Sequence, residues 1–286
     1  MVFRQRAARG VDERFAGRVE LGCGHTACAY RARDTERGID VVLKVASLQF
    51  VDVETSRGWL ESECLALKSL QASSDGTEAS ERRSGRIIQC YEDHTKESTP
   101  FIVLESWGTQ TLERYFRAWV GSEKRMPARI AQSLWTQIQE GLAYMSDRSH
   151  TCQWIHGDLH FKNIMVDTSN QDEPTLKIID FGLASTEQEG DEERQPCKDA
   201  QTVAQTWRSW FEVKPHHVGL DPADTKEKST NMFGLLEACA GDPTLCPAPA
   251  HWLTTAMALE GTADVRPPPS TRVFQSPLEK AGYCPK

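Results

Sequence analysis

Two short stretches, well separated in the chain, constrain it more than any other feature. The first is Ile155-His156-Gly157-Asp158-Leu159-His160-Phe161-Lys162-Asn163. The second is Lys177-Ile178-Ile179-Asp180-Phe181-Gly182. Considered locally, both are ordinary polar turns between strands. Considered chemically, they bring together two carboxylates and a carboxamide, hard oxygen groups of the kind that binds a divalent cation and orients a hydroxyl.

Upstream elements belong with these two. Leu21-Gly22-Cys23-Gly24-His25-Thr26-Ala27-Cys28-Ala29-Tyr30 carries glycines where a backbone could approach a ligand with no Cβ in the way. Ile39-Asp40-Val41-Val42-Leu43-Lys44-Val45 reads as a buried strand, and apolar flanks on both sides of Lys44 argue for a charge facing a cleft with a partner. Residues 58–70 place Leu60, Cys64, Leu67 and Leu70 at helical spacing, with Glu61 and Glu63 on different faces. Pro100 to Gly108 reads as a strand ending at a glycine. Pro127 to Met145 reads as a long amphipathic helix with Ile130, Leu134, Ile138, Leu142 and Tyr144 on its core stripe.

The order of these elements resembles the protein-kinase-like superfamily over residues 15 to 280. The resemblance implies an α+β, bilobal protein-kinase-like fold with a β-rich N-lobe over 15–106 and a mainly helical C-lobe over 107–286. Residues 1–14 are expected to be a disordered start. It implies ATP and Mg²⁺ (or Mn²⁺) as cofactors. Gly22 and Gly24 then cover the phosphates, and Lys44, paired with Glu63 in preference to Glu61, holds them. Ala29, Val42, Leu104, Glu105, Trp107 and Met165 frame the adenine, with the backbone of 105–107 meeting its edge. Asn163 and Asp180 hold the metal, and Asp158 orients the attacking hydroxyl.

The chain departs from that pattern in several places. Ala27 and Ala29 stand for the third glycine and the valine of the glycine loop, and Val42 stands for an alanine. Gly157 stands where an arginine ordinarily binds an activation-loop phosphate, so activity is expected not to wait for that phosphorylation. His160 stands where Ser/Thr kinases place a lysine. Lys162 is the cation in the loop that could replace it, or else a surface lysine. His156 is expected to be a packed support and not a base. Asp199 resembles the aspartate that anchors the catalytic-loop backbone, yet only 16 residues separate it from Gly182. No Ala-Pro-Glu occurs, and residues 187–193 are an acidic run read as a solvated loop. Leu259 to Pro267, followed by Ser276-Pro277, resembles a terminal C-lobe without the usual partner for Arg266.

The wording His-Gly-Asp-Leu-His is similar to choline and aminoglycoside kinases and to RIO and KEOPS-type kinases. Asp-Phe-Gly-Leu-Ala is similar to ordinary protein kinases, and the short activation segment is similar to compact bacterial effector kinases. The expectation is a compact, atypical Ser/Thr protein kinase acting on protein hydroxyls. The alternatives are a small-molecule kinase of the choline or aminoglycoside type and a catalytically weak binding module.

Composition sets the outer bounds. A 286-residue chain can bury a substantial core. Its 33 basic and 41 acidic residues, −8 net, argue against a nucleic-acid partner or an anionic-membrane surface. A protein substrate is expected, with a regulatory partner left open, and no run is long enough to span a membrane. Nine cysteines without C-x-x-C pairs fit a reducing, cytoplasmic compartment, or delivery into a host cell, and not a disulfide framework or zinc site. Cys23 and Cys28 fall in the glycine loop, where oxidation could block ATP, although an oxidation switch there is the less favoured reading. Residues 72–85 and 214–230 are expected to be mobile polar loops, and His216-His217 a solvated pair.

Overall fold

The computed structural model describes residues 13–47, 51–73, 76–121, 126, 128–147 and 154–186, with 199, 202, 203 and 206 singly. The acidic run 187–193, the loop 214–230 with its histidine pair, Arg266 and most of the start 1–14 lie outside the described residues.

The chain forms two compact units. One comprises the chain up to Gln71, Ile88–Trp107 and Asp180–Ala184. The other comprises Ala72–Ile87, Gly108–Ile179 and the chain from Ser185 onward. The boundaries drawn from the sequence were continuous; here the two units exchange short segments.

The first unit is built on a five-stranded antiparallel sheet, β1 (Phe15–Cys23), β2 (Ala27–Asp34), β3 (Ile39–Ala46), β4 (Cys90–His94) and β5 (Phe101–Glu105), in the order β1-β2-β3-β5-β4. Alternation along β3 decides its faces. Val41 and Leu43 point to a core shared with Phe15, Ala32, Phe101 and Val103. Val42 and Lys44 therefore lie on the opposite face, where Val42 pairs with Leu104 and Lys44 with Ile102. Helix α1 (Val53–Ala72) lies on that second face and buries Leu60, Cys64, Leu67 and Leu70, the helical stripe read from the sequence. Asp52 caps it by accepting the Thr55 N–H at 2.9 Å. Arg14 clasps the sheet from its edge, 2.7 Å from both Asp34 and Glu92.

The second unit contains α2 (Glu78–Ser84), β6 (Gln110–Thr111), α3 (Leu112–Gly121), α4 (Ala128–Met145), β7 (Trp154–Ile155), a 3₁₀ turn at Phe161–Asn163, β8 (Ile164–Asp167), β9 (Thr175–Ile178) and β10 (Ser185–Thr186). β6, β8 and β9 form one small sheet, and β10 pairs with β7. α4 buries Ile130, Leu134, Ile138 and Tyr144, as its periodicity predicts, while Leu142 of the same stripe is only half-buried. Its Gly141 is there for packing, because a Cβ would stand 2.8 Å from Ile178 Cδ1. α4 also buries polar groups that the apolar stripe conceals. Gln137 Oε1 accepts from Arg86 at 2.8 Å and from the Leu176 N–H at 2.9 Å, and Glu140 accepts from Arg86 at 2.9 Å.

Two expectations need correction. The stretch 72–85 is not simply a polar loop: α1 runs through Ala72, and Thr77 caps α2 by accepting the Ser80 N–H. The stretch is polar because α2 buries no side chain, so composition could not separate an exposed helix from a loop. The cysteines are not all separate thiols either. Cys23 is joined to Cys28 and Cys64 to Cys90. Each pair is close only after folding, across a hairpin or between a helix and a strand, so spacing along the chain gave no sign of it. Among the described residues no helix is long and apolar enough to cross a membrane.

Candidate functional site

In the first unit, β3 delivers Lys44 and α1 delivers Glu63 to one point. Lys44 Nζ lies 2.6 Å from Glu63 Oε2 and 2.6 Å from Asp180 Oδ1. Glu63 is buried, whereas the Asp180 side chain is 46% exposed and so open to an incoming cation. Burial pushes the Lys44 pKa down, but the facing carboxylates of Glu63 and Asp180 outweigh it and hold the ammonium above the ordinary lysine range. One cation between two anions leaves net negative charge beside an accessible carboxylate.

Asp180 holds an uncommon backbone conformation, φ +67°, rarely adopted by a side-chain-bearing residue. Gly182 leaves room over the cluster. A Cβ there would stand 3.5 Å from Asp180 Oδ1 and 3.9 Å from Lys44 Nζ.

The glycine hairpin gives a different kind of information. Gly24 closes the β1–β2 turn by donating its N–H to the Ala27 carbonyl at 2.8 Å. Neither Gly22 nor Gly24 has positive φ; a Cβ on Gly22 would meet nothing within 4 Å, and one on Gly24 only Ala27 O at 3.6 Å. The chain's own packing thus demands glycine at neither position. A ligand approaching the backbone would.

Ala29 pairs with Lys44 across β2 and β3, so Ala29, Val42, Lys44 and Leu104 share one sheet face. The Glu105 N–H is donated to the Gln89 carbonyl at 2.9 Å, and Trp107 ends the unit's middle segment.

In the second unit, the loop after β7 is tightly organised. His156 is fully buried, and its Nε2–H donates to the Ile179 carbonyl at 2.9 Å. That tautomer leaves Nδ1 to accept the Asp158 N–H at 3.3 Å, so both ring nitrogens are committed to backbone. Asp199 accepts the His156 N–H at 2.7 Å and the Gly157 N–H at 3.1 Å. Burial pushes the Asp199 carboxyl up, while His156 and these N–H groups pull it back. Gly157 has φ +79°, a left-handed conformation that favours glycine. Its identity therefore follows from the turn as well as from the missing arginine.

The Asp158 side chain is 47% exposed, with Oδ2 3.7 Å from His160 Nε2. Asn163 donates from Nδ2 to the Asp158 carbonyl at 2.9 Å and, at 3.4 Å, to Asp158 Oδ2. Both bonds leave from Nδ2, so Oδ1 faces away as a hard oxygen donor, which suits a divalent cation. The Asn163 carbonyl also accepts the Ile179 N–H at 2.9 Å, tying this loop to the residue that follows β9. Lys162 is exposed on the 3₁₀ turn, and Met165 is half-buried on β8 opposite Thr111.

The structure thus brings Lys44, Glu63 and Asp180 together in one unit, and Asp158, His160, Asn163 and Asp199 in the other. Sequence reasoning missed the Cys64–Cys90 bond beside Glu63 and the Gln137 cluster under β9. Among the described residues no cluster of three or more His, Cys, Asp or Glu side chains forms a ready-made metal site. A cation here would draw its remaining ligands from phosphate and water.

Residues 15–209 match the family described as the protein kinase domain. The chain is 27% identical over 175 residues to calcium-dependent protein kinase 4 of Plasmodium falciparum (isolate 3D7), covering 61% of this chain and 29% of that protein. It is 24% identical over 169 residues to serine/threonine-protein kinase PLK4 of Xenopus laevis, covering 58% of this chain and 15% of that protein. Over 60 residues it is 40% identical to serine/threonine-protein kinase chk-1 of Caenorhabditis briggsae, 21% of this chain and 10% of that protein. The chain therefore spans less than a third of the length of these relatives.

Proposed function

Because the chain belongs to the protein kinase domain family, we propose that it transfers the γ-phosphoryl of ATP to serine or threonine hydroxyls of a protein substrate. The observation that carries this reading is Lys44 set 2.6 Å from both Glu63 and Asp180. The buried Glu63 commits one side of the ammonium, and the 46% exposed Asp180 leaves the other side accessible to phosphate.

Mg²⁺ supplies neutralisation of the phosphate charge when bound with ATP. Asp180 and Asn163 are the residues that would hold it, each by a hard oxygen. Lys44 binds phosphate oxygens, and Glu63 fixes its direction. Gly22 and Gly24 let backbone N–H groups close on the phosphates. Ala29, Val42, Leu104, Glu105, Trp107 and Met165 frame the purine. Asp158 accepts a hydrogen bond from the substrate hydroxyl, aims it, and takes its proton as the new oxygen–phosphorus bond forms and the bond from the γ-phosphorus to the bridging oxygen breaks, releasing ADP. Lys162 offers positive charge to the transferring group.

Three features support activity without activation-loop phosphorylation. Gly157 supplies no arginine for such a phosphate. Asp199, rather than a phosphorylated segment, holds the loop backbone at His156 and Gly157. The interval from Gly182 to Asp199 is short. Cytoplasmic action, or delivery into a host cell as an effector, is part of the proposal because the phosphoryl donor is there; the two disulfides withdraw the argument from separate thiols in a reducing compartment.

The test is a choice of acceptors. With labelled Mg-ATP, the purified protein should label serine or threonine in a cell lysate and leave amino alcohols and aminoglycosides unlabelled. Label on the small molecules alone would replace this reading with a small-molecule kinase. Nucleotide binding with no turnover on any acceptor would replace it with a binding module.

A further inference from the structure

We infer that the Cys64–Cys90 bond is a positioning bridge that holds helix α1, and with it Glu63, against the sheet that carries Lys44. The inference rests on the phosphotransferase reading for its effect on rate, but not for its effect on structure.

The bridge lies in a closed ring of contacts within the first unit. Cys64 follows Glu63 in α1 and is bonded to Cys90 at the start of β4. Cys90 pairs with Leu104 on β5, and Leu104 pairs with Val42 on β3. Two residues further along β3, on the same face, Lys44 returns to Glu63. The ion pair and the disulfide are thus two adjacent links between one helix and one sheet.

The chain path explains why a covalent link matters. Residues 72–87, between α1 and β4, belong to the second unit, so the backbone leaves the first unit at Gln71 and returns at Ile88. The disulfide joins the two sides of that excursion directly. The other links between α1 and that side of the unit are noncovalent: Arg57 Nη1 donates to the Thr95 carbonyl just past β4, and Glu63 pairs with Lys44.

Glu63 itself pulls the other way. Its carboxylate is 1% exposed, and among the described residues Oε1 accepts no hydrogen bond. Burial pushes its carboxyl pKa up, with Lys44 and a backbone hydrogen bond from Phe181 opposing and Asp180 adding to the rise. A buried anion with an unsatisfied oxygen gains solvation if its helix shifts outward. The bridge on the adjacent residue resists that shift.

The two disulfides differ in access. Cys64 and Cys90 are 0% and 3% exposed, whereas Cys23 lies on an exposed part of the glycine hairpin. A dithiol should therefore open Cys23–Cys28 first and Cys64–Cys90 second. Each step moves two electrons and two protons from the dithiol to the cysteine pair, giving two thiols and the oxidised cyclic dithiol.

The experiment titrates the air-oxidised protein with dithiothreitol. Thiols at each step are assigned by alkylation and mass spectrometry. Amide exchange across Val53–Ala72, kcat and the Mg²⁺ requirement are read at every step, with Cys90→Ala as a bridge-free comparison. The inference predicts that exchange in α1 accelerates with the second step and not with the first. At that step kcat falls about tenfold or more. The Mg²⁺ requirement rises, because a Lys44 released by Glu63 competes with the cation for Asp180. Cys90→Ala should match the fully reduced protein and no longer respond to the second step. Free thiols at Cys64 and Cys90 in the oxidised protein would overturn the inference, as would unchanged α1 exchange after that bond opens. Faster α1 exchange with no phosphoryl transfer in either state would uphold the bridge and overturn the phosphotransferase reading instead.

Discussion

Lys44 and Asp180 stand 136 residues apart in the chain and 2.6 Å apart in space. Their contact joins β3 to the segment 180–184, which belongs to the first unit although it follows Gly108–Ile179 of the second in the chain. It gives Lys44 a second carboxylate beyond Glu63. The second carboxylate is the exposed one, so it is also the one that a cation or a phosphate can rearrange.

That arrangement predicts strong coupling between Lys44 and its buried partner. Lys44→Met leaves Glu63 as an uncompensated buried carboxylate and should cost about 3 kcal/mol. Lys44→Met with Glu63→Leu should recover most of the loss, because no charge remains to be desolvated. Urea midpoints at unchanged slope measure both, and strictly additive losses would contradict the coupling.

The glycines should separate by role. Gly108 has φ +70°, and a Cβ would stand 2.9 Å from the Val166 carbonyl oxygen. Gly108→Ala should therefore cost about 3 kcal/mol, and Gly157→Ala, strained by φ alone, about 1–2 kcal/mol. Gly22→Ala should leave the melting temperature nearly unchanged while weakening nucleotide binding. Melting curves and a nucleotide titration on the three variants decide this.

Asp199 should act through backbone. Asp199→Ala leaves the buried His156 N–H and the Gly157 N–H without their acceptor and should cost about 3 kcal/mol. Asp199→Asn keeps one acceptor oxygen and should cost less. Equal losses in the two variants, read by urea unfolding, would mean that packing and not hydrogen bonding is at stake.

The edge clasp predicts an acid limb. Hydrogen bonds from Arg14 hold the Asp34 and Glu92 carboxyls below their ordinary values of 3.8 and 4.5. Carboxyls lowered by folding contribute stability that is full above those ordinary values and is lost as pH falls through the lowered ones. Glu63 and Asp199, raised by burial, contribute with the opposite sign. Arg14→Met should therefore flatten the fall in urea midpoint below pH 4.5 relative to the unsubstituted protein. An equally steep fall would assign the acid sensitivity elsewhere.

What the sequence reveals and what it hides follow from the range of each interaction. The helical stripes of α1 and α4 are local, so Leu60, Leu67 and Ile138 could be assigned to cores directly. Glu63 was separable from Glu61 because the two lie on different faces of one helix. The segment exchange between the units and the Cys64–Cys90 bond depend on contacts distant in the chain, which no periodicity encodes. Gly157 was read as a missing arginine, since a sequence does not display φ. Gln137 and Glu140 sit in a helix whose apolar stripe dominates the pattern, and their partners Arg86 and Leu176 come from elsewhere in the chain.

The most direct test of the central claim is label transfer from γ-labelled Mg-ATP to lysate proteins by the unsubstituted protein and by Asp158→Asn, with nucleotide affinity measured on both. The account predicts label on serine or threonine, a fall of about a hundredfold or more in the variant, and equal nucleotide affinity. Equal labelling by both proteins, or tight nucleotide binding with no Asp158-dependent turnover, would contradict it.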